Sequence, residues 1–298
     1  MIIPTAMPLP SLMVTAGSRV LDVTSRPLVM GILNVTPDSF SDGGAYVTVE
    51  QALRQARQMH EEGADLIDIG AESSRPGSQP IDEAEELRRL MPVLEAVHRA
   101  VPLPISVDTT KAAVARRALE MGATIINDIT ALRGDALMSE IVAQSGAAVV
   151  LMHMQGRPAT MQKAPRYENV TQEVVSFLSE RAQAAMKLGI KRSQIILDPG
   201  FGFGKLQEHN LQLLSEFTML TNLGYPILAG LSRKQFIGNL TQQPVHERAY
   251  GTAGAVAIAV LKGAHIVRVH DVRAMRDTVS VVSAIRRQAR FDVGESHA

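Results

Sequence analysis

Short runs of β-branched and other apolar residues recur along the chain, separated by longer stretches in which apolar positions return every three or four residues. The runs fall at 28–35, 65–69, 105–107, 124–129, 148–152, 195–198, 227–231 and 265–270. Between the first two, Ala52, Ala56, Met59 and Gly63 lie at helix spacing, and Thr48 with Gln51 reads as a capping box. Leu87, Leu90, Leu94 and Val97 form the next stripe. Val114, Ala118 and Met121 form the one after, closed by Gly122 in the usual C-terminal position. Strand followed by helix, eight times over, predicts a parallel sheet, because each crossover returns the chain to the same end. Eight units point to α/β architecture of the closed (β/α)8 kind, the TIM barrel, whose usual size of about 250 residues fits the chain beyond its N-terminal segment. A doubly wound open sheet is the alternative, since a strand count does not establish closure. The segment 18–26 is expected as a short strand or hairpin outside the barrel. Residues 1–17 are expected as a flexible N-terminal extension and residues 18–298 as one domain, since no Pro/Gly/Ser-rich linker divides them.

In such a barrel the chemistry sits where strands end and βα loops begin. Each apolar run here ends in polar residues: Asn34, then Glu72 to Arg75, Asp108, Asn127 with Asp128, His153, Asp198, Ser232 to Lys234, and Arg268 with His270. One such residue, Asp108 for instance, reads equally well as a cap for the next helix. Eight at corresponding positions do not, because a cap needs one small oxygen side chain and Arg, Lys and His are not N-cap residues. Arg268 and His270 are two apart on a strand and so share a face. Inside a barrel two cationic groups call for an anion, and with Lys234 they suggest a phosphate or pyrophosphate site near the last two strands. The alternative is a salt bridge to Asp271 or to a carboxylate on another strand.

Two further segments bear on the chemistry. The run PGFGFGK at 199–205 resembles a phosphate loop, but Leu206 stands where a Walker A sequence needs Ser or Thr, and the Rossmann spacing is not met. It reads instead as a flexible loop that places Phe201 or Phe203 over a ligand. His153 begins a loop running to about Val170, long enough to be functional. The histidines show no i, i+3 or i, i+4 pairing, which argues against structural zinc. An oxygen-coordinated Mg2+ shared with phosphate needs only one or two protein ligands, which Asn34, Asp42 or Asp108 could supply.

Composition narrows the field further. Thirty Lys and Arg balance thirty Asp and Glu among 298 residues, which argues against a bulk electrostatic binder of nucleic acid or membrane. Aromatics make up 4% with no Trp, too few for a stacking platform. The absence of cysteine excludes disulfides, thiolate metal sites and cysteine nucleophiles. No Lys or Arg precedes Arg19, so a secretory signal is not expected, and no apolar run reaches membrane-spanning length. A cytoplasmic protein is the expectation.

The motifs then resemble one family closely. MGILNVTPDSFSDGG at 30–44 and DIGAESSRPG at 68–77 are similar to the two long signatures of the dihydropteroate synthases, the pterin-binding TIM-barrel enzymes of folate biosynthesis. SVDT at 106–109 with Lys111, Asn127-Asp128, MHMQG at 152–156, DPGFGF at 198–203, SRK at 232–234 and RVHD at 268–271 continue the match in order, from about residue 18 to about 290. The resemblance implies condensation of 6-hydroxymethyl-7,8-dihydropterin pyrophosphate with p-aminobenzoate, by SN1-like loss of pyrophosphate, in a transferase that uses Mg2+ and is inhibited by sulfonamides. It implies that Asp108, Asn127, Met152, Asp198, Phe203 and Lys234 hold the pterin. Asn34, Ser74, Arg75, Arg268 and His270 would hold pyrophosphate, with Asn34 also at the metal. Phe40, Ser74, Ser232 and Lys234 would bind p-aminobenzoate, and Asp42, Asp198, Lys234, Arg268 and His270 would carry the catalysis. The family also implies a homodimer. Gln235 stands where the family often has Ser or Arg, and Ala71 and Ser74 where Gly and Thr are usual. The rival functions are a pterin-binding methyltransferase barrel serving a corrinoid protein and a non-catalytic pterin-binding scaffold. The first would not need the Arg268–His270 pair, and the second predicts missing polar strand ends.

Overall fold

Alternation along each strand decides which of two cores receives a side chain. In the computed structural model, which describes residues 12–35, 45–74 and 77–295 (backbone alone at 45–48 and 289–295), the chain opens with an antiparallel hairpin. Its strands are β1 (Met13–Ala16) and β2 (Arg19–Asp22), in register Met13 to Asp22 and Ala16 to Arg19. Eight parallel strands come next: β3 (Leu28–Asn34), β4 (Leu66–Gly70), β5 (Ile105–Asp108), β6 (Ile125–Asp128), β7 (Ala148–Met152), β8 (Ile195–Asp198), β9 (Leu228–Ala229) and β10 (Ile266–Val269). Neighbours pair in sequence order from β3 to β8, while β10 lies between β3 and β9. The ring closes through a parallel bridge between Leu197 and Ile227, with the Leu197 N–H donating to the Pro226 carbonyl at 2.9 Å. The barrel, not the open sheet, is the fold.

Helices run outside the sheet: α1 (Ala45–Glu61), α2 (Glu83–Ala100), α3 (Ala112–Glu120), α4 (Met138–Ser145), α5 (Val170–Lys187), α6 (Gln207–Ser215), α7 (Thr218–Thr221), α8 (Gln235–Thr241), α9 (Ala249–Leu261) and α10 (Val272–Glu295). Local chemistry sets several ends. Asp82 caps α2 by accepting the Glu85 N–H at 2.8 Å, and Asn169 caps α5 by accepting from Gln172 at 3.0 Å. Outward strand residues such as Val29, Ile67, Val107, Ile126, Leu151, Leu197 and Val267 pack against these helices in one large cluster. Inward residues Leu28, Met30, Leu66, Ile125, Val150, Ile196, Leu228 and Ile266 fill the lower barrel, and buried Val14, Ala16 and Val23 of the hairpin region plug its N-terminal mouth. One inward position further up, several strands turn polar. Leu66 gives way to Asp68, Ile125 to Asn127, Ile196 to Asp198 and Ile266 to Arg268. The apolar floor therefore carries a polar upper layer, and that layer is where a ligand can be held.

Three local expectations shift. The hairpin begins at Met13, ahead of the expected start at Ser18, because burial of Val14 and Ala16 against the barrel floor recruits that segment. Helix α1 already runs from Ala45, so Thr48 lies inside its first turns and does not act as its cap. Strand β9 shrinks to Leu228–Ala229 from the expected 227–231, since Ile227 gives its N–H to the His265 ring and keeps only an isolated bridge to Leu197, and beyond Ala229 the chain leaves the sheet to form the next loop. No helix among the described residues is long and apolar enough to cross a membrane.

Candidate active site at the C-terminal mouth

Asp68 organises the polar layer. It is fully buried in the middle of β4 and accepts three hydrogen bonds: from Ser106 Oγ at 2.5 Å, Asn127 Nδ2 at 3.1 Å and Arg268 Nε at 2.6 Å. A second guanidinium nitrogen of Arg268 donates to Asp108 Oδ2 at 3.1 Å. Arg268 on β10 is thus tied to carboxylates of β4 and β5, the salt bridge to other strands that the sequence left open. Burial works against its charge, but Asp68 and Asp108 outweigh that and raise its pKa. Asp108 moves the other way. Burial pushes its carboxyl upward, and Arg268 only partly opposes this. With Asn127 Nδ2 committed to Asp68, Asn127 Oδ1 is left buried without a partner among the described residues. A buried acceptor in that condition is costly unless something donates to it.

The opposite wall is built by β8 and the loop after it. Asp198 is 5% exposed and accepts the Gly200 N–H at 2.7 Å, and its pKa is raised chiefly by burial. Lys234 reaches in from the loop after β9, its ammonium 4.3 Å from the centre of the Phe203 ring, within cation–π range. Burial and then Arg268 lower the Lys234 pKa to about 8, while Asp198 and Asp108 oppose the shift. The glycines of PGFGFGK answer to close packing, not to phosphate. At Gly200, φ +66°, a Cβ would sit 2.0 Å from the His153 carbonyl oxygen, and at Gly204, φ +61°, 2.3 Å from that of Gln155. The loop is pinned, contrary to the flexible loop expected. The buried Lys205 ammonium donates to the carbonyls of Gly200 at 3.0 Å and Phe203 at 3.2 Å and lies 2.9 Å from His153 Nδ1. Phe201 packs into the core with its ring against Phe217, whereas Phe203 joins Met152 in an apolar cluster at the mouth.

Together these residues form one pocket lined by Ser74, Asp108, Asn127, Ile129, Met152, Asp198, Gly200, Phe201, Phe203, Gly230, Lys234 and Arg268. Of the expected site residues, the structure therefore brings Asp108, Asn127, Met152, Asp198, Phe203, Lys234, Arg268 and Ser74 to one hole. Asn34, Ser232 and His270 do not line it. Ser232 Oγ contacts His270 twice, at the backbone N–H (3.1 Å) and at ring Nδ1 (3.0 Å), while Arg233 holds Asp271 with two hydrogen bonds at 3.0 and 2.6 Å. Asn34 ends β3 half-buried, in register with Gly70. Gln235 is exposed and donates to Asn239 on its own helix at 2.8 Å. Phe40, Asp42 and Arg75 lie outside the described residues. Sequence reasoning missed Asp68, Ser106 and Lys205. For Asp68 the available signal was an acid in the middle of an apolar strand, where an unpaired charge is not tolerated.

Among the described residues no cluster of three or more His, Cys, Asp or Glu side chains is arranged to hold a metal. The amide oxygen of Asn34 at a strand end offers one hard oxygen donor. A single hard amide oxygen is not a zinc cage, but it is a donor of the kind Mg2+ would accept beside a phosphate-bearing ligand.

A carboxylate-and-amide wall facing an ammonium, an arginine and an aromatic ring suits a flat heterocycle with alternating donors and acceptors. Such a barrel is a pterin-binding enzyme, and the family model described as pterin binding enzyme matches residues 30–270. The dihydropteroate synthase of Haemophilus influenzae is 48% identical over 269 residues, covering 90% of this chain and 97% of that protein. The solved structure of the Xanthomonas albilineans dihydropteroate synthase with 4-aminobenzoic acid superposes with a TM-score of 0.87 at 46% identity, covering 93% of this chain and 98% of that one. The same enzyme in complex with 7,8-dihydropteroate gives 0.83 at 44%, over 92% and 98%. The chain belongs to the dihydropteroate synthase family.

Proposed function

We infer that the chain condenses 6-hydroxymethyl-7,8-dihydropterin pyrophosphate with p-aminobenzoate, giving 7,8-dihydropteroate and pyrophosphate. The observation that carries this reading is the single cavity in which the unpartnered Asn127 Oδ1, Asp108 and Asp198 face Lys234 and Arg268. Asn127 Oδ1 and the Asp198 carboxylate accept from the N–H groups of the pterin, Lys234 donates to its ring acceptors, and Met152 and Phe203 pack on its faces. Asp108 completes the carboxylate wall and shares Arg268 with Asp68.

The leaving pyrophosphate lies toward Arg268, His270, Asn34 and the loop bearing Ser74 and Arg75. Asn34 would hold Mg2+, which when bound supplies positive charge to the pyrophosphate oxygens. The C–O bond at the pterin methylene breaks with its electron pair leaving on pyrophosphate, and the pterin ring takes up the positive charge. Asp198, and Asp42 from the first loop, stabilise that cation, while Arg268 and His270 stabilise the departing anion. The arylamine nitrogen of p-aminobenzoate, placed by Phe40, Ser74 and Lys234, then bonds to the methylene and releases a proton. An arylamine is unprotonated near neutral pH, so no strong base is required. Water must be kept from the methylene while the bond forms, since it would otherwise capture the cation.

The family's homodimer is supported by α9 and α10, which pack side by side and expose Ile258, Leu261, Val281 and Ile285. A cytoplasmic location is part of the same reading. Asp198→Asn tests the catalytic assignment. Loss of the carboxylate should cost about 2–4 kcal/mol of transition-state stabilisation, roughly 30- to 1,000-fold in kcat/KM. Near-normal turnover in that variant would remove Asp198 from the mechanism.

A further inference from the structure

Ser232 and Arg233, adjacent on the loop after β9, meet His270 and Asp271, adjacent at the end of β10. The Ser232 hydroxyl oxygen accepts the backbone N–H of His270 at 3.1 Å and lies 3.0 Å from the ring Nδ1 of the same residue. Arg233 holds both oxygens of Asp271. The loop is fixed from a third side as well. Arg233 has a left-handed backbone, φ +57°, which a non-glycine residue keeps only where its surroundings over-determine it, and its N–H donates to Thr252 Oγ1 at 3.1 Å. Ser232 is 5% exposed, so its single hydroxyl proton must find an acceptor inside the protein.

The hydrogen-bond inventory of the hydroxyl decides where that proton goes. Its oxygen already accepts from the His270 amide, and the remaining partner among the described residues is Nδ1. If Nδ1 carried a proton and donated it to Ser232, the hydroxyl proton would be left buried without an acceptor. If Nδ1 is bare, both groups are satisfied. A neutral ring is also what the surroundings favour, since burial, then Arg268 and Arg233, push the His270 pKa down to about 3. A neutral imidazole whose Nδ1 accepts carries its proton on Nε2. Nε2 has no partner among the described residues, so that N–H is a donor held ready for a ligand.

We propose that Ser232 is a positioning residue that fixes the Nε2–H tautomer of His270 and aims that N–H at the leaving pyrophosphate. This differs from a direct contact between Ser232 and p-aminobenzoate. It rests on the reading of His270 as a pyrophosphate contact, and no proton transfer is involved.

The test combines ring 15N spectroscopy of His270, assigned by its loss in His270→Gln, with titration of inorganic pyrophosphate into wild type, Ser232→Ala and Ser232→Thr. In wild-type protein near neutral pH, Nδ1 is expected unprotonated and Nε2 protonated. Ser232→Ala is expected to lose that bias, weaken pyrophosphate about 10-fold and raise the KM of the pterin pyrophosphate by a similar factor, with the KM of p-aminobenzoate changing less. Ser232→Thr keeps the hydroxyl and is expected within about 3-fold of wild type. A wild-type ring protonated on Nδ1 would overturn the proposal without any variant having to fold. So would Ser232→Ala that raises only the KM of p-aminobenzoate. If wild-type protein binds no pyrophosphate, the underlying assignment of His270 fails together with the use given to its proton. The ring resonances separate that failure from a wrong tautomer.

Discussion

Replacing Asp68 by Asn probes the frame on which the site is built. The carboxylate receives donors from Ser106, Asn127 and Arg268 and is fully buried. Asparagine preserves the volume but removes the charge opposite Arg268, and its NH2 can be met only by the Ser106 hydroxyl oxygen, whose buried proton then loses its acceptor. A hydrogen bond to a charged group is worth about 1.5–3 kcal/mol and a neutral one about 1 kcal/mol. Removing one member of a buried ion pair costs about 3–5 kcal/mol, moderated here because Asp108 still holds Arg268 at 3.1 Å. The expected loss of stability is therefore about 3 kcal/mol, equivalent to a fall in Tm of roughly 6–12 °C for a large domain. Arg268 and Asn127 also lose the group that orients them, and the loss of preorganised charge should reduce kcat/KM about 100-fold, or about 2.7 kcal/mol. Urea unfolding monitored by circular dichroism gives the first quantity, and steady-state kinetics on the pterin substrate the second. If Asp68→Asn unfolds within 0.5 kcal/mol of wild type, on the order of an ordinary surface substitution, and keeps its kcat/KM, the network is not the organiser described here.

Two other expectations concern titration and the far end of the barrel. Because burial lowers the Lys234 ammonium to about 8, the charge is present below that pH and lost above it. The kcat/KM for the pterin substrate should then fall through an alkaline limb near pH 8, absent from the residual activity of Lys234→Met, in a pH–rate profile. Asp65 lies before β4, away from the mouth, and accepts from Arg26 at 2.9 and 2.6 Å, from the Val29 N–H at 2.8 Å and from Arg276. Burial pushes its carboxyl up, but these hydrogen bonds outweigh it and hold the pKa below 3.8. That stability is present above the unfolded pKa of about 3.9 and is lost as pH falls through the lower folded value. Asp65→Asn should cost about 2 kcal/mol at pH 7 with activity retained, and the difference should shrink below about pH 4 in urea titrations.

Much of the architecture was legible because burial on both faces makes barrel strands read as continuous apolar runs, each ending where the chemistry begins. Asp108, Asn127 and Asp198 could be picked out by that position. Asp68 could not be found by looking at strand ends, since it sits one step down inside DIGA, and its role depends on a partner 200 residues away in Arg268. The contact between Ser232 and His270 likewise needs the register of two strands, which periodicity does not supply. Lys205 was read with a glycine-rich run as a failed phosphate loop. What determines that run is the backbone of 153–155 pressed against it, a tertiary fact with no local signal. The Thr48–Gln51 pattern shows the opposite weakness, since a four-residue motif suggested a cap at a place where the helix was already under way.

The central claim is tested most directly by mass-spectrometric detection of 7,8-dihydropteroate from purified protein, 6-hydroxymethyl-7,8-dihydropterin pyrophosphate, p-aminobenzoate and Mg2+, with each component omitted in turn. Product is predicted in the complete mixture alone. Folded protein that binds the pterin yet forms no product would contradict the account and favour a binding scaffold or a methyltransferase barrel.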